Sequence, residues 1–80
     1  MTRAEALRLA LQALDDKAHA EETRGGELDD EVAKADAFGE STATYEALAN
    51  YWWKRYEDTI NAHWMLSAEL DALEGTDTDA

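Results

Sequence analysis

The residues of this chain best able to do chemistry are two histidines, and their neighbours decide what that chemistry could be. His19 has Asp16 three residues before it, Glu22 three after it and Asp15 four before it. On a helix these spacings bring the side chains to one surface, so a divalent cation could be held there. Carboxylates and imidazoles so arranged are more often a solvated charged face, and no metal site is expected. His63 lies on an apolar stripe, and the residue three before it is Ile60. The Glu-x-x-His pair of carboxylate-bridged dimetal bundles is therefore absent, and His63 reads as a core or interface residue. Asp29-Asp30-Glu31 is a run of acids and lacks the alternating ligands and glycine of a calcium loop. There is no Cys, hence no thiolate nucleophile, zinc knuckle or disulfide. Ser41 reads as a helix cap and Ser67 sits inside a helix. No nucleophile elbow or phosphate-cradling glycine loop occurs. The expectation is a chain with no catalytic residues, no metal and no cofactor, and not an enzyme.

Charge sets the next bound. Nineteen acids face seven Lys and Arg across 80 residues, a net charge of −12. Such a balance opposes direct binding to nucleic acid or to an anionic membrane, since both are polyanions. The acidity is concentrated: residues 25–50 carry seven acids and one base, whereas residues 1–24 carry five acids and four bases. Glu27, Asp29, Asp30, Glu31, Asp36, Glu40 and Glu46 form this acidic surface. No apolar run is long enough to span a bilayer. The N-terminal apolar positions are interrupted by Glu5, Arg8 and Gln12, so no signal peptide is expected. With no Cys, a reducing cytoplasm is the expected location.

Three helices are needed to position these groups. The chain has no Pro, is rich in Ala, Leu and Glu, and shows no two-residue alternation, so an all-α fold is expected. Glycines punctuate it at Gly25-Gly26, Gly39 and Gly75. The first helix is expected over 3–23, with Thr2 and Glu5 at capping-box spacing and Leu7, Leu11, Leu14 and Ala18 on one stripe. A short second helix over 29–38 places Leu28, Val32, Ala35 and Phe38 on one face. A long third helix over 42–74 starts at Ser41 or Thr42, and 75–80 reads as a disordered acidic tail. The architecture expected is one domain over 1–74: an antiparallel helical hairpin or three-helix arrangement with a short middle helix.

The third helix carries the main functional signal. Tyr45, Leu48, Trp52, Tyr56, His63, Leu66, Leu70 and Leu73 share one broad stripe on the helical wheel. Trp53, Ile60 and Trp64 form a second line about 80–100° away. Together they span an arc wider than one packing partner covers. Trp53, Ile60 and Trp64 are therefore candidate interface residues, with Trp52 and Tyr56 as core or shared anchors, because Trp and Tyr are favoured interface anchors.

The opening run Thr2-Arg3-Ala4-Glu5-Ala6-Leu7-Arg8-Leu9-Ala10-Leu11-Gln12-Ala13-Leu14 and the Ala, Asp, Thr and Arg usage resemble small accessory proteins of bacteriophages from high-GC hosts. That resemblance implies a phage-encoded host-takeover factor or virion component, acting in the host cytoplasm, and no catalytic residue. The reading of the chain is a small acidic protein–protein interaction protein that forms a homo-oligomer through its aromatic face. The alternative is an acidic DNA mimic that inhibits a nucleic-acid-binding host or defence protein. A metal-binding bundle is a distant third.

Overall fold

The computed structural model describes residues 1–79, with side chains as far as Gly75. The chain forms two long helices, α1 (Arg3–Ala37) and α2 (Ala43–Asp79), folded back on one another. Arg8 meets Glu74 at one end, and Asp29 meets Trp53 towards the other, so the helices run antiparallel. The acidic tail expected over 75–80 lies, from Thr76 on, outside the fully described residues.

The start and the turn follow the sequence closely. Thr2 caps α1, its Oγ1 accepting the Glu5 backbone N–H at 3.1 Å. The helix ends at Gly39, whose φ of +72° lies in the left-handed region that favours glycine. There the Glu40 N–H reaches the Ala35 carbonyl at 2.8 Å and the Gly39 N–H reaches the Asp36 carbonyl at 3.1 Å. These two bonds close the last turn of α1 as a Schellman motif. Ser41 Oγ then accepts the Ala43 N–H at 3.5 Å, at the start of α2.

The three-helix arrangement does not form. The Gly25-Gly26 break is absent, and the expected middle helix over 29–38 is the distal part of α1. Two mid-helix glycines cost about 1 kcal/mol each relative to alanine, so something must offset them. The offset is an unbroken seam. Ala4, Leu7, Leu11, Leu14, Ala18, Glu21, Gly25, Leu28, Val32 and Ala35 advance by alternating steps of three and four, and all are buried or half-buried. On α2, Thr42, Tyr45, Ala49, Trp52, Tyr56, Thr59, His63, Leu66, Leu70 and Leu73 do the same. This is the repeat that keeps one stripe of a helix facing a partner along its whole length. A helix broken at Gly25 would forfeit the alignment of everything beyond it.

Two further expectations change with the seam. Leu48 is exposed, and Ala49 takes its place between the helices. Phe38 does not pack with Leu28 and Val32; it sits at the turn, 79% exposed. The buried apolar residues are Leu7, Ala18, Leu28, Ala35 and Ala49, mostly small, and among the described residues no side chain is wholly enclosed. The molecule is a rod of 64 × 18 × 14 Å.

The adjacent glycines provide a paired test. A Cβ on Gly25 would lie 2.8 Å from Cε2 of the Trp53 indole, whereas one on Gly26 meets nothing within 4 Å. Gly26→Ala is expected to stabilise the hairpin by about 0.5–1 kcal/mol through lost chain entropy. Gly25→Ala is expected to destabilise it by about 1–3 kcal/mol through overpacking. Urea denaturation of the two variants measures both.

Candidate functional site

Midway along the rod the apolar seam is interrupted by a polar layer. Glu21 is only 3% exposed and Thr59 only 2%. The Thr59 hydroxyl donates to Glu21 Oε1, and Lys17 Nζ donates to Thr59 Oγ1 at 3.2 Å. Glu21 Oε2 has no hydrogen bond, and it is balanced by Arg55 Nε at 3.5 Å and Lys17 Nζ at 3.9 Å. Arg55 is itself placed by aromatic rings. Its guanidinium lies 5.5 Å from the Tyr51 ring centre and 5.8 Å from that of Trp52, and it donates to the Tyr51 hydroxyl. A buried carboxylate is thus held by two partly exposed cations whose stems lie along the hairpin. The arrangement offers charge compensation. Its one hydroxyl, Thr59, is enclosed between Glu21 and Lys17.

A helix ending at residue 23, with a break at Gly25-Gly26, gives no reason for Glu21 to be buried. The signal was present. The three–four step that links Leu7 to Ala18 continues through Glu21 and Gly25 to Leu28.

On either side of the seam the rod has two different flanks. The first bears Trp53, Ile60 and Trp64. Trp53 and Ile60 are half-buried. Trp53 packs its indole on Gly25, donates Nε1–H to Asp29 Oδ2 at 3.0 Å and meets Tyr56 edge-on. Trp52 and Tyr56 lie in the seam, half-buried. Of the five candidate interface residues, only Trp64 stands free, 71% exposed. The other flank carries Leu48, Tyr51, Arg55, Ala62 and Met65.

The acidic candidates do not form one face. Asp29, Asp36 and Glu46 belong to the aromatic flank; Glu27 pairs with Arg24, and Glu31 with Lys34, on the opposite side. Asp30 faces outward and Glu40 lies in the turn. The more telling division is between flanks. Placed by the seam, the aromatic flank has Glu5, Asp15, Glu22, Asp29, Asp36, Glu46, Glu57, Asp71 and Glu74 against one base, Arg8, itself paired with Glu74. The opposite flank has Glu27, Glu31, Asp58 and Glu69 against Arg3, Lys17, Arg24, Lys34 and Arg55. Between them, on the outer surface of α2, the Lys54 ammonium is held above its ordinary range by the hydrogen bond and charge of Asp58, and further by Glu57.

The histidines separate. His63 Nε2 lies 2.9 Å from Asp15 Oδ1 across the helices, while His19 is exposed on α1. Among the described residues no group of three His, Asp or Glu side chains could hold a metal ion, and no helix is long and apolar enough to cross a membrane. The hollow lined by Arg24, Glu27, Leu28, Asp30, Glu31 and Lys34 is polar and holds about 270 Å³.

These features define a class: an antiparallel two-helix coiled-coil hairpin with one acidic, aromatic flank and one charge-balanced flank. Beyond that class, no family model, curated protein or solved structure matches the chain.

The polar layer yields a mutational contrast. Glu21→Ala removes the Thr59 acceptor and is expected to cost about 1–3 kcal/mol. Glu21→Leu combined with Thr59→Val replaces the layer by apolar volume and is expected to be neutral or stabilising. Thermal melts followed by circular dichroism distinguish the two.

Proposed function

We propose that the protein is a binding protein without catalytic activity that docks a basic partner surface on its aromatic flank. The single observation carrying this reading is Trp64, a large apolar ring 71% exposed on a flank that carries nine acids and one base along its length. An indole supplies contact area at little conformational cost, and a rim of carboxylates selects a positive surface and speeds encounter with it. Nucleic-acid-binding proteins present surfaces of that kind. On this flank Asp15, Glu22, Asp29 and Asp36 recur every seven residues, so the acids form a row along the rod, which favours an acidic mimic over a neutral adaptor.

The shape supports a binding role. The accessible surface is 5747 Å². A compact monomer of 8.9 kDa would expose about 4,800 Å². The difference is about the share that one partner contributes to a standard interface. Self-association through the aromatic flank, the simpler expectation, is disfavoured by charge. It would set nine carboxylates against their own copies, and an antiparallel self-pairing that matched Trp53 with Trp64 would press Glu57 onto Ile60.

Two results are expected. Trp64→Ala should leave the hairpin's stability within about 0.5 kcal/mol, because the ring is exposed. Trp53→Ala should cost about 2–4 kcal/mol, because its ring fills the notch at Gly25. A photo-crosslinking residue at position 64, used in the cells that make the protein, should yield an adduct with a second protein of basic surface. That adduct should disappear as salt rises. An adduct with the mass of two copies of this chain, or one indifferent to salt, overturns the reading.

A further inference from the structure

The flank opposite Trp64 has a pattern that the proposed docking role does not use. Along α2, Leu48, Tyr51, Arg55, Asp58, Ala62 and Met65 advance by steps of three, four, three, four and three. They form a second helical seam, parallel to the first and about a quarter-turn around α2 from it. Tyr51 and Met65 are more than half exposed, and Leu48 is exposed as well. Read backwards, the seam complements itself. When α2 is laid against a second antiparallel α2 about a two-fold axis between Arg55 and Asp58, Leu48 meets Met65 and the large Tyr51 meets the small Ala62. Arg55 meets Asp58, and each contact occurs twice.

We infer that the protein forms a two-fold dimer in which the α2 helices of two copies pair antiparallel along this seam. The occupant is a second copy because the complementarity is internal to one helix, as a closed two-fold interface requires. Charge agrees: this flank carries five bases and four acids, so two copies approach without the repulsion that the aromatic flank would create. Arg55 retains donors for the second copy's Asp58, since its bonds to Glu21 and Tyr51 use Nε and one terminal nitrogen. The dimer leaves both Trp64 side chains outward, so it stands independently of the docking role.

Cysteine pairing tests the geometry directly, because the native chain has none. Positions 48 and 65 are about 25 Å apart along one helix, too far for an internal disulfide. Under mild oxidation the Leu48→Cys/Met65→Cys chain is expected to give covalent dimers. An equal mixture of the two single variants should give the mixed dimer, and either single variant alone should give little. Sedimentation of the unmodified chain should show a dimer that Met65→Glu weakens by about a hundredfold and Trp64→Ala leaves unchanged. Met65 is 73% exposed, so Met65→Glu should not disturb the hairpin itself. A monomer at every concentration, equal crosslinking by the single variants, or loss of the dimer with Trp64→Ala in place of Met65→Glu overturns the proposal.

Discussion

Everything in this molecule hangs on two helices keeping the same stripe in contact over about thirty residues each. An undistorted α-helix drifts by about 20° per seven residues against a strict heptad, so contact of that length requires a sequence that returns to the seam at alternating steps of three and four. Both helices satisfy the condition without interruption from Leu7 to Ala35 and from Tyr45 to Leu73. The ends are tied by polar pairs that flank the seam, Arg3 with Glu69 and Arg8 with Glu74. Such exposed pairs add little stability individually; their consistent placement on either side of the seam fixes which flank is which.

The seam is thin. Its enclosed apolar residues are two leucines and three alanines, and the central layer is polar. A buried Glu21 is a poor source of stability, because desolvating a carboxylate costs about what its cations return. What it supplies is position. Glu21, Thr59, Lys17 and Arg55 satisfy one another only when the helices are aligned as they are. A slip by one heptad would leave the carboxylate facing Trp52 or Leu66 in place of Thr59. Trp53 adds a steric version of the same constraint, since its indole lies where only a glycine leaves room.

A rod this narrow encloses few side chains, and its surface carries the distinctions. The hairpin divides its charges, acids crowding the flank of Trp64 and bases gathering on the flank of Arg55. Trp53 on one flank and Arg55 on the other help hold the two helices together, whereas Trp64, Leu48, Tyr51 and Met65 are exposed. An exposed tryptophan on an acidic flank and a self-complementary seam are two different kinds of unmet contact. We propose a basic protein for the first and a second copy of the same helix for the second.

Local chemistry was legible in the residues themselves. Helical composition, the Thr2 cap, the glycine that ends the first helix and the placement of Leu7, Leu11, Leu14 and Ala18 on one stripe all follow from interactions within a few residues. So does the wide apolar arc of the second helix. The fate of Gly25-Gly26 does not, because a glycine pair weakens a helix by an amount that packing can reverse. Here the indole of Trp53, distant in sequence, occupies the space beside Gly25. The same holds for the aromatic line, where periodicity placed Trp53, Ile60 and Trp64 together, yet only the packing of α1 decided that Trp53 is an internal contact and Trp64 a free one. Glu21 is a similar case: its burial is produced by Thr59 and Arg55 on the other helix. Short-range preferences and periodicity are properties of the chain alone, whereas burial depends on which two stretches of chain come to face each other.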